Sequence, residues 1–172
     1  MLKKILIISF SFFIYIGSAV SSDLKIVYVD IDKIINLSSA GKKFSKKLET
    51  LNTNNIKKFK EREKVLADEE KNIIKKKNIL SKEEFEKKIA TLKNNIINFK
   101  KDIIVSNKDV DKKRLEGTSK LINILNPILS EYSSKNSISL IIQKKNIVIG
   151  KSELDITNQI LKLLNAKIKI IK

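Results

Sequence analysis

The chain has 172 residues, with 36 Lys and Arg against 19 Asp and Glu, a formal net charge of +17. It contains no His, Cys or Trp and only four Gly, so proton shuttles, thiol nucleophiles, soft metal ligands, disulfides and phosphate-cradling loops have no residues to build them. A field this positive favours anionic partners: nucleic acid, lipid head groups or acidic proteins.

The chain begins with the basic Met1-Leu2-Lys3-Lys4, an apolar run from Ile5 to Ile16, and the small stretch Gly17-Ser18-Ala19-Val20-Ser21-Ser22. This is the layout of a signal peptide over residues 1–22, cleaved near Ser21 or Ser22. The run is short for a membrane span of about 20 residues, and small polar residues follow it at once. Without cysteine there is no lipid-modified anchor, so the mature protein is expected to be soluble and exported.

Residues 23–39 are expected to start a body. Leu24 to Val29 is apolar, β-branched and aromatic, as a strand is, and Asp30 and Asp32 precede a short helical turn at Lys33-Ile34-Ile35. The small cluster Ser38-Ser39-Ala40-Gly41 marks the start of a long helix.

Residues 40–120 read as a helical hairpin. Phe59, Leu66, Ile73 and Leu80 recur every seven residues, with Arg62, Glu69 and Lys76 between them where a strong coiled coil places leucine. Ala40 to Asn78 would extend about 58 Å as one helix. The tip falls near residues 78–82, where Ser81 and Glu84 form a capping box for the second helix. There Phe85, Ile89, Leu92, Ile96, Phe99 and Ile103 alternate steps of four and three. The same register then lands on Ser106, Val110, Lys113 and Gly117, which predicts a hinge or a face open to solvent.

Residues 121–172 complete the body. Leu121, Ile122, Ile124, Leu125, Ile128 and Leu129 pack there, with Pro127 bending the helix. Ser137 to Gln143 and Ile147-Val148-Ile149, joined by Lys144-Lys145-Asn146, predict a β-hairpin. Asp155 caps a last helix that puts Ile156, Ile160, Leu163 and Leu164 on one face. The tail from Lys167 reads equally as a strand or a frayed end. The fold class is α+β, mostly α: a long antiparallel helical-hairpin arm projecting from a small β-rich body. So thin an arm and so small a body predict self-association.

Catalysis finds no foothold, and neither enzyme activity nor a cofactor or metal site is expected. Asp68-Glu69-Glu70 and Glu83-Glu84-Glu86 alternate with lysines, as solvated helix faces do. Lys57, Lys58, Lys75, Lys76, Lys77, Lys87, Lys88, Lys100 and Lys101, with Lys112-Lys113-Arg114, all lie on the arms. They are either exposed faces of lysine-rich helices or a positive grip for an anionic partner. Export and the scarcity of arginine and aromatic base contacts argue against nucleic acid.

The ordered combination resembles the Skp (OmpH-like) family of periplasmic chaperones. It comprises Lys25-Ile26-Val27-Tyr28-Val29-Asp30, Ala40-Gly41-Lys42-Lys43, Leu80-Ser81-Lys82-Glu83-Glu84-Phe85, Ser139-Leu140-Ile141-Ile142 with Ile147-Val148-Ile149, and Leu154-Asp155-Ile156-Thr157. The resemblance implies a periplasmic homotrimer whose helical arms hang from a β-rich trimerisation body. Its core would be Ile26, Val27, Val29, Leu140, Ile142, Ile147 and Ile149. It also implies an ATP-independent holdase that binds unfolded outer-membrane proteins and prevents their aggregation. The alternative is an envelope protein that holds lipopolysaccharide or anionic lipid on its basic arms.

Overall fold

The computed structural model describes residues 24–171, so the expected signal peptide over 1–22 lies outside the described residues. Strand β1 (Ile26–Val29) leads through Asp30 into helix α1 (Ile31–Leu37). The Asp30 carboxylate accepts the Lys33 N–H at 2.8 Å and so caps α1. Buried Ser38 then ends α1 and caps α2 (Ser39–Lys75), accepting the Gly41 N–H at 3.0 Å and donating to the Ile35 carbonyl at 3.2 Å. A Cβ on Gly41 would lie 1.7 Å from the Ile35 carbonyl oxygen, so only glycine allows this corner.

Two long helices form the arm. Helix α2 has 37 residues and α3 (Lys82–Lys135) has 54, lengths of about 55 and 80 Å. The capping box at Ser81 is complete: Glu84 N–H donates to the Ser81 hydroxyl, and Ser81 N–H donates to the Glu84 carboxylate at 3.1 Å. Helix α3 runs unbroken through Pro127. It stops at Asn136, after which Ser137 takes a left-handed conformation (φ 53°) and the Ile138 N–H returns to the Ser133 carbonyl.

The seam between the arms follows the predicted four-three rhythm, with polar residues inserted. From α2 it takes Leu48, Leu51, Asn55, Phe59, Arg62, Leu66, Glu69 and Ile73, all buried or half-buried. From α3 it takes Phe85, Leu92, Ile96, Phe99, Ile103, Ser106, Val110 and Gly117. Ile89 and Lys76, expected in the register, are exposed instead. The lower part of α3 is not an open face: Ser106 is half-buried and Val110 is buried. Gly117 is buried, and a Cβ there would sit 2.1 Å from the Phe44 ring, so α2 and α3 meet closely at the arm root.

In the body, β1 pairs in parallel with β2 (Leu140–Gln143), in register Ile26↔Leu140 to Val29↔Gln143. The expected β-hairpin does not form. Lys144–Asn146 curl into a 3-10 turn, and Ile147 to Ile149 leave the sheet without a strand partner among the described residues. The other edge of β1 is taken by Asp155 and Ile156, whose N–H donates to the Tyr28 carbonyl at 3.0 Å. A short apolar run reports burial or pairing somewhere, and its periodicity does not say which edge receives it.

Helix α4 (Thr157–Lys167) closes the body. Its cap position is Ile156; Asp155, one residue earlier, accepts the Thr157 N–H at 2.9 Å. The Thr157 hydroxyl in turn accepts the Asp30 N–H at 2.9 Å, and the Asn165 side chain accepts the Ser39 N–H at 2.7 Å, so α4 ties together the starts of α1 and α2. Val27, Val29, Ile34, Leu125, Ile128, Ile138, Ile156, Ile160 and Leu164 make one core. Each large aliphatic among them contributes about 1.5–3 kcal/mol by burial. Leu163, expected on the same face, is 43% exposed. Of the tail, Ile168 packs on the core, and Ile171 reaches a hollow at the arm root beside Phe44 and Leu48.

Candidate functional site

The arm surface carries the features that bear on function. Its interior is only partly apolar. Near the tip Leu66, Ile73 and Leu92 form a buried cluster, flanked by Phe85, Ile96 and Phe99. The Phe59 and Phe99 rings meet edge to face at 6.1 Å. Towards the root the seam turns polar: Arg62 donates to the Asp102 carboxylate at 2.5 Å and stacks over Phe99, while Asn55 donates to the Ser106 hydroxyl at 2.7 Å. Partly exposed pairs of this kind contribute about 0.2–1 kcal/mol. Buried leucines would contribute more, so the polar stretch is held less firmly than the tip.

All nine predicted arm lysines (Lys57, Lys58, Lys75, Lys76, Lys77, Lys87, Lys88, Lys100 and Lys101) are exposed, and none forms an ion pair among the described residues. Their charge is therefore not held in contact ion pairs. The structure draws some of them together: Lys76 and Lys88, from the two sides of the hairpin, line one hollow near the tip with Val65, Ile73 and the acidic Asp68 and Glu69. The Ser81 hydroxyl, then its backbone N–H, hold the Glu84 carboxyl below its usual range, and nearby Lys88 adds to this. Glu84 is thus tied to the cap, while Glu83 and Glu86 beside it stay exposed.

Sequence reasoning missed a second feature. Ile97, Ile104 and Leu115 are exposed on α3, Leu115 by 69%, and Ile56, Val65 and Ile74 are exposed on α2. They stand outside the seam register, which is the signal that would have found them. Spacings of seven and eleven residues set Ile97, Ile104 and Leu115 along one face of α3. Isolated aliphatics interleaved with lysines can touch an unfolded chain at many points without demanding one shape of it.

The predicted body residues divide into two groups. Val27 and Val29 are buried in the chain's own core, and Ile142 and Ile147 are half-buried. Ile26, Leu140 and Ile149 are exposed in the single chain, contrary to a core placement there, because β1 and β2 turn one sheet face outward and Ile147 to Ile149 have left the sheet. Val148 and Ile149 are 104% and 91% exposed. Among the described residues no group of three or more His, Cys, Asp or Glu is placed to hold a metal ion, and no helix is long and apolar enough to cross a membrane.

Comparison with known proteins places this architecture. The family model for outer membrane protein (OmpH-like) matches residues 25–164. The chain belongs to the OmpH-like family. Its fold is similar to the crystal structure of a Caulobacter crescentus CB15 protein provisionally described as an outer membrane chaperone (OmpH-like), with a TM-score of 0.81 and 18% sequence identity. The likeness covers 87% of this chain and 88% of the other. At that identity it establishes the fold. No match is found among curated proteins.

Proposed function

We propose that this OmpH-like protein is an ATP-independent, non-enzymatic holdase of the periplasm that binds unfolded outer-membrane proteins between its arms. The observation that carries the reading is the arm surface: two long helices with nine exposed lysines in no ion pair among the described residues, interleaved with exposed aliphatics outside the seam. Lysines draw acidic unfolded chains from a distance, and the scattered aliphatics hold them by many weak contacts. The polar middle of the seam lets the arms adapt to clients of different size.

The assembly we propose is a homotrimer joined through the outward sheet face, Ile26 with Leu140 and Ile142, and the neighbouring Ile147 to Ile149. So much exposed aliphatic surface on a small body is supporting evidence for a partner of the same kind. Sedimentation of the purified mature chain should give a trimer mass. The same protein should suppress aggregation of a urea-diluted β-barrel protein at near-stoichiometric ratio, and the triple variant Ile97→Ser, Ile104→Ser, Leu115→Ser should lose much of that effect. A monomer without suppression would overturn the reading. Flotation with anionic liposomes across a salt series separates it from lipid or lipopolysaccharide binding, which should collapse as salt rises while client holding partly persists.

A further inference from the structure

Away from the arms, the end of α3 and the face of α4 leave a groove of about 670 Å³ between them. Ile128 and Tyr132 of α3 and Leu163 and Ala166 of α4 form its apolar floor. Each helix contributes with the same spacing: residues 128, 131, 132 and 135 on one side, and 159, 162, 163 and 166 on the other. Those are the i, i+3, i+4 and i+7 positions that face a third helix packed between two. This explains why Leu163 is exposed although it belongs to the apolar side of an amphipathic helix. It faces a partner position that the described residues leave empty.

The rim is basic. Lys135, Lys162 and Lys167 border the groove, and Lys25 reaches its end by donating to the Asn136 carbonyl at 3.0 Å. The one acidic residue at the rim, Glu131, accepts from Lys135 at 2.7 Å, which with Lys167 nearby lowers its pKa. Lys162 and Lys167 form no ion pair among the described residues. From the paired helical spacing of the walls and the unmatched lysines of the rim, we propose that the α3–α4 groove is a docking site for an acidic amphipathic helix of another protein. The helix would bring an aliphatic stripe to the floor and carboxylates to Lys162 and Lys167. Because the groove lies on the body, it would recruit a partner while the arms are occupied. The site is independent of what the arms hold.

The test uses the purified assembly and a fluorescein-labelled peptide of about four helical turns, with leucines at i, i+3, i+4 and i+7 and glutamates on the flanks. Fluorescence anisotropy should report saturable binding that weakens with salt. Leu163→Asp should weaken it about tenfold or more, and Lys162→Glu with Lys167→Glu should do the same. The charge-matched control Lys43→Glu with Lys46→Glu, on exposed α2 positions outside the groove, should leave it unchanged. Because Leu163 is already partly exposed, its variant should keep the helical circular dichroism and the assembly mass of the parent. Equal binding by a scrambled peptide of the same composition would overturn the proposal, as would indifference to Leu163→Asp. Two other results would also overturn it. Loss of assembly in Leu163→Asp would make the groove an interface between copies, and groove-dependent binding of dodecanoate without the peptide would make it a lipid site.

Discussion

The ring of Phe44 lies against the backbone of Gly117, so close that a methyl group on Gly117 would be 2.1 Å from the Phe44 Cζ. Alanine normally improves on glycine inside a helix by about 1 kcal/mol. Here the contact reverses the sign, because the added methyl must displace the ring or part the helices. Gly117→Ala should therefore destabilise the protein by about 1–3 kcal/mol. Phe44→Leu introduced with it should recover part of the loss. Urea unfolding of the two single variants and the double variant measures the coupling, and additive losses would show that the two residues do not meet.

Arg62 holds a seam position where a tight coiled coil would have leucine, and Asp102 reaches it from beside the seam. Arg62→Leu should stabilise the middle of the arm by about 1 kcal/mol, since Arg62 is half-buried over the Phe99 ring and a leucine there would bury against the seam. Hydrogen exchange should slow around residues 55–66 and 95–106. If arm compliance serves client holding, the stiffened protein should also suppress aggregation over a narrower range of client sizes.

Ser137 holds a left-handed backbone at the end of α3, a conformation costing an ordinary residue about 1–2 kcal/mol relative to glycine. Ser137→Gly should raise the unfolding midpoint. The gain should be roughly 0.5–1 kcal/mol, because glycine also loses more chain entropy on folding. An unchanged or lower midpoint would mean that the serine side chain supplies a compensating contact.

Burial pushes the Asp155 carboxyl up, but the Thr157 hydrogen bonds and Lys144 outweigh it and leave the pKa lowered. A lowered carboxyl adds stability that is fully present above the unfolded value of about 3.9 and is lost as pH falls through the folded value. Wild-type urea midpoints should thus fall as pH drops below about 4, and Asp155→Asn should remove part of that slope while lowering the midpoint at neutral pH. Equal slopes for the two proteins would show that Asp155 is not responsible.

Much of the arm was legible in the sequence. The seven-residue spacing around Leu66 and Ile73 defines a seam, and Ser81 with Glu84 defines the start of α3, because helical periodicity and capping are local properties of the chain. The cluster around Ser38 likewise announced the start of α2. The lysines could be read as exposed from composition alone. That nine of them on the arm form no ion pair among the described residues could not.

What only the tertiary structure decided is the partner of each residue. Gly117 looked like a weak point, and the Phe44 ring from the facing helix makes it a packing requirement. Ile147 to Ile149 looked like the return strand of a hairpin, yet Lys144–Asn146 curl into a 3-10 turn instead of a hairpin turn, and β2 pairs with β1 alone among the described residues. Leu163 belonged by spacing to a buried face and opens instead onto the groove beside Tyr132. Periodicity tells a chain which side chains avoid water. The segment that covers them comes from elsewhere in the sequence, or from another molecule, and is settled only when the elements pack.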